Sequence, residues 1–157
     1  MINDKEIKRL ERLFPDYFDR FNLPEGAKPE KIEVYRACKT QKCDKESFTP
    51  SFEEKGFEYH QDDDPSDPSL YSLSTAEKIK DIQRFVRIDS EYKKPYKIAK
   101  GITSEECGFV QRTKERTSNK RSSHVDWWLF KDAQPYKFFE IINDLDKYIQ
   151  DYKKDKV

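Results

Sequence analysis

Apolar positions along the chain change period several times, and each change marks a predicted element. Asp4 stands as the cap of a first helix carrying Ile7, Leu10, Leu13 and Phe14 at helical spacing. Pro15 ends that helix or starts a second piece, in which Tyr17, Phe18 and Phe21 continue the apolar face. Leu23-Pro24-Glu25-Gly26 closes this helical segment of residues 1–26 as a turn, so that it reads as a lid of rings over a core. Lys31–Cys38 alternates as a strand with Ile32, Val34 and Arg36 on one face. Residues 40–69 have no clear period and read as a long loop region. Leu70–Ser74 is a second strand, Tyr71 and Leu73 opposed to Ser72 and Ser74, and Ser74-Thr75-Ala76-Glu77 matches a capping box. A central helix with Ile79, Ile82, Phe85 and Val86 as its buried stripe would follow from that cap.

Tyr96–Ile102, a turn over Ser104–Gly108 and Phe109–Thr113 make a hairpin. In the strand Val125–Phe130, period-2 alternation puts Val125, Trp127 and Leu129 on an apolar face and His124, Asp126, Trp128 and Phe130 on the other. Asp132-Ala133-Gln134-Pro135 opens a last helix carrying Phe138, Ile142, Leu145 and Ile149, expected to pack on the Val125, Trp127 and Leu129 face, and the polar tail 151–157 is expected to fray. The prediction is a single α+β domain over residues 1–157, a mainly antiparallel sheet of about five strands with N-terminal, central and C-terminal helices packed on it.

A hydrophobic fraction of 34%, a charged fraction of 39% and a mean hydropathy of −1.09 lean toward disorder, but 14% of residues are aromatic, which supplies a core built from large rings. The 31 basic and 31 acidic side chains cancel, so any attraction to nucleic acid or to an anionic surface has to be local. No apolar run approaches a membrane span and the first residues lack a secretory layout, which points to a cytoplasmic protein without a membrane partner. Cys38, Cys43 and Cys107 fit neither a disulfide framework nor the spacing of common zinc modules, even with His124 added, and read as reduced thiols.

Candidate chemistry is confined to a few places. Arg36 continues an apolar strand face, so it must pair with an acid, bind an anion or lie beyond the sheet edge. His60, Asp62 and Asp64 carry metal-ligand chemistry in a proline-rich acidic loop that equally reads as solvated charge, so no metal site is assigned. Arg112, Lys114, Arg116, Lys120 and Arg121 form the basic patch of the sequence, directly before two tryptophans, a composition suited to phosphates and flat bases.

The order of a strand with Tyr35-Arg36, a strand with Tyr71-Ser72-Leu73-Ser74-Thr75, and a late strand through His124 and Trp128 resembles the arginine–serine–glutamate class of ADP-ribosyltransferases. The resemblance implies that Arg36 meets the phosphate or ribose of NAD and that Ser72, Ser74 and Thr75 form the hydroxyl element ordering the pocket. It further implies a late carboxylate that stabilises charge on the reacting ribose. The family's glutamate-x-glutamate signature is absent, since Glu105 and Glu106 are adjacent and Glu115 lies in the basic run, which leaves His124 or Asp126 as the catalytic candidates. A ring such as Trp128 or Trp127 would stack on the base.

Two other readings follow from the residues. A binding module without turnover would use the basic run and an exposed face of the tryptophan strand to hold nucleic acid, a nucleotide or a protein partner. A metal-dependent hydrolase or nuclease would draw on His60, Asp62, Asp64, His124 and Asp126. Trp128 on the surface beside Arg112 would favour the module; Arg36, Ser72 and His124 converging on one concave pocket would favour an enzyme or small-ligand receptor.

Overall fold

The structure, a computed structural model, describes residues 3–83, 95–118 and 122–155. Six strands, β1 (Glu33–Cys38), β2 (Leu73–Ala76), β3 (Lys97–Ile102), β4 (Gly108–Arg112), β5 (His124–Leu129) and β6 (Phe139–Ile141), form one antiparallel sheet in the order β4-β5-β2-β1-β3-β6. Three helices accompany it: α1 (Asp4–Glu11), α2 (Ser51–Glu54) and α3 (Leu145–Asp155). The architecture is α+β as expected, with six strands in place of about five. None of the helices among the described residues is long and apolar enough to cross a membrane.

Residues paired across a sheet share a face. Tyr35 pairs with Ala76 and Ala76 with His124, so these lie on one face, while Leu73, Val125 and Trp127 lie on the other with Val34 and Cys38. The second face is covered by Phe48, Phe139 and Tyr136, with Trp127 tilted over Phe139 at 6.0 Å between ring centroids. The first face has two covers. Over β4 and β5, the rings of Phe14, Phe21 and Tyr71 pack with Phe109, Trp128 and Phe130. Over β1 and β3, Leu145, Tyr148 and Ile149 of α3 pack with Tyr35, Ala37 and Ile98. Tyr35 and Tyr148 join hydroxyl to hydroxyl at 2.6 Å.

Several local expectations change. The first helix is capped by Asn3, whose Oδ1 accepts from Glu6 N at 2.9 Å, one residue before the expected Asp4; beyond Pro15 the chain makes a 3-10 turn, Asp16–Arg20. Ser74-Thr75-Ala76-Glu77 is not a helix start: Ser74, Thr75 and Ala76 are strand residues paired with Asp126, Val125 and His124, because a waiting ladder on β5 satisfies more backbone groups than one capping hydroxyl. Of the expected central helix only a 3-10 turn, Ile79–Asp81, is described, and Phe85 and Val86 lie outside the described residues. The long loop region holds α2 and 3-10 turns at Glu46–Phe48 and Pro68–Tyr71. The segment read as one last helix divides into a 3-10 turn, β6 and α3, and α3 covers Tyr35 and Ala37, not the Val125, Trp127 and Leu129 face. It also extends to Asp155, into the tail expected to fray.

The close seating of β6 depends on Gly101. It pairs with Phe139, and a Cβ there would meet the Phe138 carbonyl oxygen and come within 2.5 Å of Phe139 Cγ. Gly101→Ala is expected to destabilise the fold by about 1–3 kcal/mol, the usual range for overpacking, read as a lowered urea midpoint at unchanged slope. Burial also pushes the Cys38 thiol up to about 12 from an ordinary 9. The folded chain therefore keeps a proton that the unfolded chain releases above pH 9, and stability should fall as pH rises through that window, by at most about 1.4 kcal/mol per unit for one group. Cys38→Ala should flatten this alkaline slope, and an unchanged slope in urea titrations from pH 8.5 to 11 would rule out Cys38 as its source.

Candidate functional site

β1 and β2 share a single bridge pair, Tyr35 with Ala76, and Arg36 follows directly after it. Its guanidinium reaches across to β2, Nη1 donating to Ser74 O at 3.0 Å, while Nε donates to Ser47 O at 3.0 Å and Nη2 lies 3.7 Å from Glu54 Oε1. Lys39 reaches the other Glu54 oxygen at 3.5 Å. Burial lowers the Arg36 pKa from its ordinary value, and the Glu54 carboxylate opposes that shift. Of the three expectations for Arg36, the structure shows the ion pair, with Glu54; the residue also lines a cavity of about 690 Å³.

Ser74, Thr75, Lys80, Tyr96 and His124 line the same cavity. Thr75 Oγ1 donates to Val125 O at 3.0 Å, so that hydroxyl is tied to the sheet. Asp81, also at the cavity, accepts from Ser123 N at 3.1 Å and from Ser123 Oγ at 2.5 Å. Ser72 does not reach the cavity. It is fully buried and donates to Asp126 Oδ1 at 2.6 Å.

Asp126 is the centre of a second constellation. Its side chain has no exposed surface, and a carboxylate so placed needs a counter-charge and hydrogen bonds to both oxygens. Arg116 Nη2 supplies the charge at 2.5 Å, and Thr113 Oγ1 and Ser69 Oγ donate to Oδ2 at 2.8 and 3.2 Å. Arg116 also donates to Gln111 Oε1 at 3.0 Å and lies 5.6 Å over the Trp128 ring. Thr113 Oγ1 further meets His124 Nδ1 at 2.6 Å. His124 is thus shared between the two constellations: it is one of the residues lining the cavity, and its Nδ1 meets Thr113 of the Asp126 network.

Trp128 is fully buried and donates from Nε1 to Pro68 O at 2.9 Å. In the basic run, Arg112 is held by Glu77 at 2.7 Å and by Glu30 at 3.1 Å, with the Glu77 hydrogen bond the main cause of its raised pKa. Lys114 lies in the 3-10 turn Thr113–Glu115, and Lys120 and Arg121 lie outside the described residues. In the acidic loop, Asp63 accepts from His60 N at 2.7 Å and from Lys55 Nζ, and Asp64 accepts from Ser66, so these carboxylates shape turns. Among the described residues no group of three or more histidine, cysteine, aspartate or glutamate side chains is placed to hold a metal ion.

Sequence reasoning missed Glu54, Lys39, Lys80 and Tyr96 at the cavity, and Thr113 and Ser69 around Asp126. No local signal marked Glu54: it ends the four-residue helix Ser51–Glu54, in which Phe52 is buried with the rings of the N-terminal segment, within a stretch that has no clear period. Compared with known proteins, the chain matches no protein-family model, no curated protein and no solved structure.

Because Asp126 and Arg116 neutralise each other out of water, Asp126→Asn is expected to cost about 3–5 kcal/mol, the range for breaking a buried pair from one side. Adding Arg116→Met should return part of that loss, since it removes the unpaired guanidinium. Urea unfolding of the three variants checks this; a double variant no more stable than Asp126→Asn would mean that the pair is not the source of the cost.

Proposed function

We propose that the cavity beside Arg36 binds a phosphate-bearing nucleotide, with NAD the specific candidate, as in an ADP-ribosyltransferase-like domain. The observation that carries this reading is that Arg36 of β1 and His124 of β5, from strands that are not neighbours, line one cavity together with Ser74 and Thr75. A volume of about 690 Å³ is within the range of small-molecule sites. Arg36, Lys39 and Lys80 supply positive charge for a phosphate, and Tyr96 supplies a ring for a base. NAD would bring the scissile nicotinamide–ribose bond; the chain's residues would hold the phosphates, orient the ribose and limit water. The carboxylates that line the cavity, where a developing positive sugar would lie, are Glu54, paired with Arg36 and Lys39, and Asp81, which accepts from Ser123; Asp126 is buried and committed to Arg116.

The alternative, a nucleic-acid or protein-binding module built on the basic run and the tryptophan strand, has less support. Trp128 is buried, so the stacking surface that reading needs is covered; Arg112 and Arg116 serve carboxylates, as Arg36 and Lys39 do at Glu54. The metal-dependent hydrolase reading draws on His60, Asp62, Asp64, His124 and Asp126, of which His124 alone lines the cavity.

Calorimetric titration with ADP and NAD tests the proposal. Binding is expected, and Lys39→Ala and Lys80→Ala, both at partly or fully exposed side chains, should each weaken it about tenfold, the value of one charged hydrogen bond. Folded protein that binds neither nucleotide at millimolar concentration would refute it, and nicotinamide release from bound NAD would separate a transferase from a receptor.

A further inference from the structure

The ion pair beside Arg36 differs in kind from the other arginine pairs of the sheet. Arg112 donates to Glu77 at 2.7 Å and Arg116 to Asp126 at 2.5 Å, both charge-assisted hydrogen bonds. Glu54 is held more loosely: Oε1 lies 3.7 Å from Arg36 Nη2 and Oε2 lies 3.5 Å from Lys39 Nζ, both beyond the usual range of an N–H···O hydrogen bond. Nε and Nη1 of Arg36 donate to the Ser47 and Ser74 carbonyls. Nη2 is therefore the edge of the guanidinium left for an anion, and among the described residues the anion beside it is Glu54. Arg36, Lys39 and Glu54 all line the cavity. The carboxylate bridges the two cations with one oxygen each, which is how a phosphoryl group would bridge them.

We propose that Glu54 is an internal competitor for the anion subsite made by Arg36 and Lys39, holding the place of a phosphoryl group until one displaces it. Its position in the fold suits that role. Glu54 is the last residue of α2, and its backbone N donates to Pro50 O at 3.0 Å, so the main chain is anchored. The side chain is 32% exposed and reaches solvent by rotation about its own bonds. Its release costs little, because partly exposed ion pairs without hydrogen bonds contribute little. A phosphoryl oxygen brought within hydrogen-bonding distance of Nη2 and Nζ makes the charge-assisted bonds that the carboxylate does not. Two anions held side by side on those cations would repel each other, so ligand and Glu54 exclude one another. The second carboxylate of the cavity, Asp81, plays no such part, since it is hydrogen-bonded to Ser123 N and Oγ.

This role deepens the nucleotide-site reading and rests on it only for the sugar and base attached to the phosphate, so pyrophosphate is the probe. Calorimetric titration is expected to show Glu54→Gln and Glu54→Ala binding pyrophosphate about fivefold more tightly than the parent, the worth of two loose ion pairs that no longer have to be broken. In a Lys39→Ala background the gain from Glu54→Gln should shrink to about twofold, because one of the two contacts is already gone. Affinity unchanged or lowered in both Glu54 variants, or no pyrophosphate binding by either at millimolar concentration, would overturn the proposal and leave Glu54 a structural partner of Arg36. A gain of equal size with and without Lys39 would also overturn it, since the carboxylate would then act through the general charge of the cavity and not by occupying the subsite. ADP separates the two readings: the expected gain for pyrophosphate with no ADP binding by parent or variant would count against the nucleotide reading alone.

Discussion

A carboxylate removed from water has to be neutralised and hydrogen-bonded from within the protein, and Asp126 imposes that condition on segments far apart in the chain. Ser69 and Ser72 come from the turn leading into β2, Thr113 and Arg116 from the turn after β4. Those turns border the two strands that flank β5 in the sheet. The ladder alone would tolerate a slip of register, but a slip by one residue would turn Asp126 to the face of Val34 and Leu73 and leave an unpaired charge among apolar side chains. The polar cluster therefore fixes the alignment of half the sheet, while the rings above and below it supply the burial.

The apolar covers explain where an open site can exist. Rings of the N-terminal segment close one end of the Asp126 face and α3 closes the other. The cavity is lined by neither cover, and two of its lining residues, Ala37 and Ala76, have small side chains. A large aliphatic residue at either position would fill part of the volume that Arg36 and His124 now line.

What the sequence disclosed, and what it hid, follows from the range of each interaction. Alternation in Lys31–Cys38 and Val125–Phe130 is a local signal, and both segments are strands with Trp127 and Val34 buried as the period requires. The Ser74 capping box is also local, yet it was overridden, because whether a serine caps a helix or joins a ladder depends on β5, some fifty residues away. β6 was hidden for the same reason: Phe138, Ile142, Leu145 and Ile149 do fit a helical stripe, and only the absent side chain at Gly101 invites a strand there. For the site, Arg36 and His124 stood out as rare residues on patterned strands. Thr113 and Glu54 are common residue types in turns and short helices, and nothing local distinguishes them until the chain has folded.

The single bridge between β1 and β2 has a mechanical consequence. Strands β4, β5 and β2 form one panel and β1, β3 and β6 another, and backbone hydrogen bonding between the panels is confined to the Tyr35 and Ala76 pair. The Arg36 side chain, donating to the Ser74 carbonyl, is a stitch across the seam. An anion that drew the guanidinium toward itself would loosen that stitch, and the angle between the panels would then respond to what the cavity holds.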